Sequence, residues 1–148
     1  MRGVSTERLS KQFLDSVPLA MREIRTEMRS IASAEMSVPQ FRIMAHLARY
    51  ERSTNAELAE ILGSTPPSMC RLVSCLRGKG YIRVLRSTED RRQVDLELSP
   101  SGRKIYLSYQ REASKRFSSR FEKLTSTEKA DMARGLEILA RVFERGPA

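Results

Sequence analysis

The chain has 148 residues, with 27 Lys or Arg against 18 Asp or Glu, so its formal charge is +9. At 40% apolar and 30% charged residues it is too apolar for a disordered chain. It has no apolar run near the roughly 18 residues that a membrane span needs. The two cysteines, five residues apart, make no disulfide framework and point to a reducing compartment. With a single histidine beside them, they cannot form a metal site without several carboxylates. Such an excess of positive charge favours a polyanionic partner, most often nucleic acid.

The N-terminal part carries one long apolar stripe at helical spacing. Its members are Leu9, Phe13, Val17, Met21, Ile24, Met28 and Ile31. Pro18 lies inside the stripe, and we expect it to restart or kink the helix, with Ser16 as a cap. The stripe either packs in the core or lies partly against a second subunit.

Three shorter helices are predicted next, at about 38–50, 54–63 and 65–78. The second opens with the capping box Thr54-Asn-Ala-Glu57, and the third opens with Thr65 before Pro66. The residues expected to face the core are Phe41, Met44, Leu47 and Ala48 in the first helix, Leu58, Ala59, Ile61 and Leu62 in the second, and Met69, Leu72, Val73 and Leu76 in the third.

The apolar period then changes from about 3.6 residues to about 2. Residues 81–85 and 94–98 each predict a strand, and the charged segment 86–93 joins them as a β-hairpin with a basic tip. Ser99-Pro100 opens a long helix, and the capping box Thr125-Ser-Thr-Glu128 opens the last one. The predicted fold is mainly α, with four helices, two strands and two further helices in chain order.

Two short helices with a tight turn, followed by a basic hairpin, are typical of a winged helix-turn-helix, whose second helix enters the major groove of DNA. Around that second helix, Pro67, Arg71, Ser74 and Gly78 lie opposite the apolar positions, flanked by Cys70, with Ser68 and Cys75 on the other shoulder. This small face can approach base edges closely. Arg71 either contacts guanine or holds a phosphate. Residues 71–92 carry seven cations and two anions, a net charge of +5.

Six short motifs lie in register between residues 38 and 102. They are Pro39-Gln-Phe-Arg-Ile-Met44, Glu57-Leu-Ala-Glu-Ile-Leu-Gly63, Arg71-Leu-Val, Gly80-Tyr-Ile, Asp90-Arg-Arg and Leu98-Ser-Pro-Ser-Gly102. This stretch of about 65 residues resembles the MarR (multiple antibiotic resistance regulator) family of winged-helix transcriptional regulators. The flanking helices match that family by position rather than by motif.

The resemblance implies a homodimer that binds an imperfect palindrome in double-stranded DNA. Dimerisation helices would occupy residues 1–36 and 101–148, and the winged helix-turn-helix domain residues 37–100. Arg92 would enter the minor groove, oriented by Asp90; the alternative for this pair is an ordinary surface ion pair. The expected DNA-binding residues are Thr65, Pro67, Ser68, Cys70, Arg71, Ser74, Lys79, Arg83, Arg86, Asp90, Arg91 and Arg92, with Lys79, Arg83, Arg86 and Arg91 on phosphates.

The resemblance also implies a repressor that a small aromatic or amphipathic effector releases from DNA. In the family the effector site usually lies between the dimer helices and the winged domain. The residues expected to line it here are Met21, Ile24, Met28, Phe41, Met44 and Leu47. The alternative is that these six side chains pack in the core.

The sequence shows no pattern typical of an enzyme. His46 has no nucleophile or orienting acid at a suggestive spacing, and the chain has neither a Gly-rich phosphate loop nor a zinc-binding motif. Cys70 and Cys75 diverge by about 140° around one helix and cannot form a disulfide while it persists. Cys70 is either an inert small residue or an oxidation site on the DNA face.

We therefore expect a cytoplasmic DNA-binding regulator that has no secretion signal, cofactor, metal or membrane attachment. Two other functions remain open. A winged helix can dock an acidic protein partner, or it can bind nucleic acid without sequence preference as an architectural protein.

Overall fold

The computed structural model describes residues 3–33, 35–86 and 94–144. In these residues it is mainly helical with one small antiparallel sheet, as predicted. The elements are α1 (Thr6–Ile31), α2 (Val38–Tyr50), β1 (Ser53–Thr54), α3 (Asn55–Leu62), α4 (Pro66–Gly78), β2 (Ile82–Arg86), β3 (Val94–Leu98), α5 (Pro100–Phe121) and α6 (Ser126–Phe143). The chain divides into two compact units, Met1–Ala113 and Ser114–Ala148.

Polar caps determine where the helices begin. The capping boxes predicted at Thr54 and Thr125 both form, since each threonine hydroxyl accepts from the backbone N–H three residues on and the glutamate there bonds back to the cap. Thr65 caps α4 as predicted, with its side chain accepting from the Ser68 N–H. These hydrogen bonds satisfy backbone donors that the first helical turn leaves unpaired.

Helix α1 runs through Pro18 without interruption, so the predicted restart at Ser16 is wrong. Because proline has no N–H, it removes one backbone hydrogen bond from this 26-residue helix, the one to the Leu14 carbonyl. Leu14 is well exposed to water. The helix begins instead after Ser5, whose side chain accepts from the Arg8 N–H. Within α1, Met28 alone is buried. Of the other stripe residues, Phe13, Val17 and Ile31 are half-buried, and Leu9, Met21 and Ile24 are exposed.

The core of the first unit lies between α2, α3, α4 and the sheet. Its members are Met36, Ile43, Met44, Leu47, Leu58, Ala59, Met69, Val73, Leu76, Ile82, Leu96 and Leu98. Full burial of one such large side chain stabilises a fold by about 1.5–3 kcal/mol. This core therefore holds three helices and the hairpin in one arrangement.

Two predicted core faces are rotated relative to the prediction. In α2, Gln40 and Ile43 are buried, whereas Phe41 and Ala48 are only partly covered. In α3, Ile61 is exposed rather than inward. Leu58 and Ala59 are the buried residues of α3, and Ile61 lies about 110° from the middle of the face that they form with Leu62.

The sheet has the strand order β1-β3-β2, with both pairs antiparallel. Strand β2 begins one residue later than predicted, because the Tyr81 N–H still bonds to the Leu76 carbonyl in the turn after α4. Strand β1 was not predicted; it pairs Ser53 with Leu96. Strand β3 matches its predicted range, and the hairpin tip, residues 87–93, lies outside the described residues.

The second unit contains α6, and none of its residues, 126–143, all of which the structure describes, is buried. Its exposed apolar side chains include Met132, Leu136, Ile138 and Val142. Across the described ranges, no helix combines the length and the apolar character that a membrane crossing requires.

The start of α5 packs tightly against the turn that follows α4. The Ser99 N–H donates to the Tyr81 carbonyl at 3.0 Å, and the Ser101 hydroxyl donates to the Gly80 carbonyl at 2.8 Å. A Cβ on Gly102 would lie 2.0 Å from the Tyr81 carbonyl oxygen. The motif Leu98-Ser-Pro-Ser-Gly102 thus joins the hairpin and α5 to the end of α4.

We predict that Gly102→Ala destabilises the protein by about 1–3 kcal/mol, because the new methyl group meets backbone that cannot move away easily. Gly78→Ala is the control, since a Cβ there meets no described atom within 4 Å and alanine favours the helix. Urea unfolding of both variants at one protein concentration checks this. A Gly102→Ala protein as stable as the wild type would contradict the close approach.

Candidate nucleic-acid interface

Helix α4 presents two chemically different faces. Met69, Val73 and Leu76 are buried in the core. The opposite face is exposed and carries Pro67, Cys70, Arg71, Ser74 and Gly78, as predicted, while Ser68 is half-buried. This small face has one cation near its centre, so a nucleic-acid duplex can approach it without meeting an acidic side chain.

Two amide side chains hold α4 through its cysteines. Asn55 Nδ2 at the start of α3 donates to Cys70 Sγ at 3.0 Å, and Gln40 Nε2 in α2 donates to Cys75 Sγ at 3.1 Å. Both cysteines are free thiols. Sequence reasoning missed these contacts. The available signal was the position of Asn55 and Gln40 in the first turns of their helices, where side-chain amides commonly find local partners.

Gln40 is buried and also takes part in the capping box that begins α2. Its Oε1 accepts from the Ser37 N–H at 3.0 Å, and the Ser37 hydroxyl accepts from the Gln40 N–H at 3.3 Å. Gln40 therefore closes the capping box of α2 with one end of its amide and contacts α4 with the other. A buried amide is tolerated when its donors and acceptor are paired in this way.

The predicted phosphate contacts fall in different environments. Lys79 donates through its ammonium group to the Glu35 carbonyl. Arg83 pairs with Glu97, with 2.9 Å between Nη2 and Oε1. Arg86 is exposed at the end of β2 that leads to the hairpin tip. Asp90, Arg91 and Arg92 lie outside the described residues, so their contribution stays a prediction.

The structure does not bring the six predicted effector residues together. Met44 and Leu47 are fully buried in the core, whereas Met21 and Ile24 are exposed on α1. Met28 and Phe41 do share a small cavity, which is too narrow to hold a water molecule. Its remaining lining residues are Ala32, Met36, Ser37, Val38 and Tyr109. Beside this cavity the Ser33 hydroxyl and the Tyr109 hydroxyl lie 2.7 Å apart.

His46 is half-buried and does not form a catalytic arrangement in the described residues. Its ring lies 4.7 Å from the ring of Tyr50. Burial lowers the pKa of His46, and the nearby Glu57 carboxylate opposes this effect. In the described part of the chain, no group of three His, Cys, Asp or Glu side chains is placed to hold a metal ion.

Glu57 joins α3 to the sheet. Its carboxylate accepts from the Thr54 N–H at 2.8 Å and from the Ser53 hydroxyl at 2.9 Å. The pKa of Glu57 is lowered, chiefly by the backbone hydrogen bond from Thr54. The charged carboxylate is thus part of what fixes α3, the helix that precedes α4.

Comparison with known proteins shows which family this part of the chain resembles. Residues 36–94 match the family model described as "MarR family". The uncharacterized HTH-type transcriptional regulator YfiV of Bacillus subtilis is 27% identical over 110 residues, which cover 74% of this chain and 69% of YfiV. The family-model match includes α2, α3, α4 and β2, the elements that form and support the exposed face described above.

Solved structures show the same fold. A MarR family protein from Bacillus stearothermophilus superimposes with a TM-score of 0.77 at 17% identity, covering 95% of this chain and 99% of that one. The structure of NadR in complex with 4-hydroxyphenylacetate gives a TM-score of 0.68 at 24% identity, covering 85% and 90%. The winged helix-turn-helix fold that was predicted is therefore confirmed.

We predict that Glu57 makes stability depend on pH in the acidic range. Because its pKa is lower in the folded than in the unfolded state, its stabilising effect is present above the ordinary value of 4.5 and is lost as the pH falls through the folded value. Glu57→Gln should lose this part of the acid dependence, and Glu60→Gln on the same helix should retain it. Urea unfolding at neutral and acidic pH checks this; equal acid dependence in Glu57→Gln and the wild type would contradict it.

Proposed function

We propose that this member of the MarR family of transcriptional regulators acts as a homodimer on a pseudo-palindromic operator in double-stranded DNA. One observation carries the proposal: α4 buries Met69, Val73 and Leu76 and leaves a small, acid-free face exposed. A helix in the second position of a helix-turn-helix reads DNA with such a face. The net charge of +9 supports binding to a polyanion.

In this proposal the exposed face of α4 enters the major groove. Arg71 contacts guanine or a backbone phosphate, and Ser74, Pro67 and Cys70 lie against neighbouring base edges. Thr65 and Ser68, at the helix start, come near the backbone. The contacts of Cys70 with Asn55 and of Cys75 with Gln40 keep α4 in place while it reads the groove.

The hairpin supplies the second set of contacts. Arg86 is exposed at the tip end of β2 and holds a phosphate. From the family resemblance, Arg92 enters the minor groove, Asp90 orients it, and Arg91 contacts the backbone. Lys79 and Arg83 are already engaged by the Glu35 carbonyl and by Glu97. They contribute to DNA binding only if they exchange these partners for phosphate.

The uncovered apolar surfaces support a homodimer. In α1, Leu9 is 60% exposed and Leu14 68%. In the second unit, Leu136 and Val142 of α6 are also well exposed. Monomeric soluble proteins rarely leave large apolar surface uncovered. A second copy of the chain, covering these helices from both chain ends, accounts for it.

We further propose that the protein is a repressor that a small aromatic effector releases from DNA. NadR, of the same fold, was solved with 4-hydroxyphenylacetate bound. In this chain the small cavity between Met28, Phe41 and Tyr109 is our candidate for an effector site. It has no room for a water molecule, whereas typical ligand pockets have roughly 300 Å³ or more, so an effector must displace side chains to enter.

We predict a strong preference for one selected DNA sequence over bulk DNA, roughly 10³-fold or more, with affinity that falls steeply as salt rises. Arg71→Ala should lower specific affinity by about 1–3 kcal/mol if Arg71 contacts a base. The matched control is Arg111→Ala on the exposed surface of α5, which removes the same charge elsewhere. Salt-titrated competition binding measures both.

The same experiment distinguishes the other two functions. An architectural binder shows the salt dependence without the sequence preference, and a protein-interaction module shows neither. Equal losses for Arg71→Ala and Arg111→Ala would contradict the role of α4 as the reading helix.

We predict that the purified chain is a dimer at micromolar concentration and that Leu9→Asp shifts it toward the monomer, because the carboxylate must then be buried in an apolar contact. Gln12→Asp is the control, since Gln12 is an exposed polar residue on the same helix. Sedimentation velocity measures the distribution. A wild-type protein that stays monomeric at tens of micromolar would contradict the proposed assembly.

A further inference from the structure

A cleft of about 380 Å³ opens on the side of the sheet that faces away from the core. It lies where the end of α2, the hairpin and the start of α5 meet. Its lining residues are Glu51, Arg52, Arg83, Glu97, Leu98, Ser99, Pro100 and Arg103. This volume is within the range of small-molecule sites.

Three arginines line the cleft, and they come from a loop, a strand and a helix. Arg52 follows α2, Arg83 is in β2, and Arg103 is in the first turns of α5. Arginine presents a planar set of donors that matches carboxylate and phosphate groups. The amino-terminal end of the 22-residue helix α5 adds a favourable field for an anion.

An internal carboxylate already occupies two of these arginines. Glu97 Oε1 lies 2.9 Å from Arg83 Nη2, and Glu97 Oε2 lies 3.7 Å from Arg52 Nε. The Glu97 side chain is 20% exposed, whereas the Arg83 and Arg52 side chains are 56% and 61% exposed. Both guanidinium groups thus keep donors that a ligand can reach. The guanidinium of Arg103 has no hydrogen bond or ion pair among the described residues.

The backbone directly before Arg52 is strained. Glu51 has φ +63° and ψ −48°, a conformation that residues with side chains rarely adopt. The Arg52 N–H donates to the Tyr50 carbonyl at 2.7 Å, which closes a γ-turn around Glu51. Strain of this kind concentrates at binding sites, where the surrounding structure holds it in place.

Apart from Arg83, which is also a candidate phosphate contact, the cleft is separate from the surface proposed to read DNA. Along β2, side chains alternate between the two faces of the sheet. Ile82 and its partner Leu98 are buried on the core side, so Arg83 and its partner Glu97 project from the other side. Arg86, four residues after Ile82, lies on the same side of β2 as Ile82, opposite to Arg83. The exposed face of α4 belongs to a different element.

We propose that this cleft binds a small molecule carrying a phosphate or carboxylate group. The oxyanion is held by Arg103 and by donors of Arg52 and Arg83, for which it competes with Glu97. Pro100 in the lining is exposed and offers a surface for a short apolar body on the ligand. The site does not depend on DNA binding, and its occupancy is measured without DNA.

The test is a calorimetric titration of the full-length protein with phenyl phosphate and with inorganic phosphate, at constant ionic strength and in a buffer free of other oxyanions. We expect saturable binding of one phenyl phosphate per chain. Arg103→Gln should weaken it tenfold or more. Lys104→Gln is the matched control: it removes the same charge from the next residue of α5, which does not line the cleft, and should leave the affinity within twofold. Glu97→Gln should tighten binding severalfold, because it removes the internal competitor.

Several results would overturn the proposal. The first is no saturable binding at millimolar phenyl phosphate, and the second is an equal loss in Arg103→Gln and Lys104→Gln, which indicates general charge attraction. Weaker binding by Glu97→Gln would contradict the competition. If phenyl phosphate does not bind but Arg103→Gln lowers DNA affinity and its salt dependence, the arginines serve the DNA backbone instead.

Discussion

The placement of α4 is the constraint on which the rest of the structure depends. This helix must be held firmly through one side while its other side stays uncovered. Met69, Val73 and Leu76 meet that need by packing into the core, and two amide–thiol hydrogen bonds add directional contacts that apolar packing lacks. At the end of α4, the contact of Gly102 with Tyr81 brings the root of the hairpin and α5 into the same fixed arrangement.

Sequence reasoning was accurate where the determining interactions are local. A threonine and a glutamate three residues apart form the same capping box wherever they begin a helix, which is why α3 and α6 start where predicted. Strand β1 was missed because it is two residues long and exists through pairing of Ser53 with Leu96, far along the chain. Ile61 was misplaced because, in an eight-residue helix, a small rotation of the packing face decides which residue is covered.

The candidate site also has features that the sequence predicts and features that it does not. The exposure of Arg71 and Ser74 follows from the helical period once the buried side of α4 is identified. The partners of Lys79 and Arg83 do not follow, since they are supplied by the Glu35 carbonyl and by the cross-strand residue Glu97. Arg83 and Glu97 meet because the strand register places them opposite each other, and periodicity alone does not provide that register.

The separation of α4 into a buried face and an uncovered face has an evolutionary consequence. Apart from Cys70, which bonds to Asn55, the side chains on its uncovered face contribute little to the core, so mutations there are largely exempt from the stability threshold that limits change elsewhere. Duplicated copies of such a gene can diverge at these few surface positions while inheriting an unchanged scaffold. New target preferences can then arise in one or two steps, without compensating repairs in the interior.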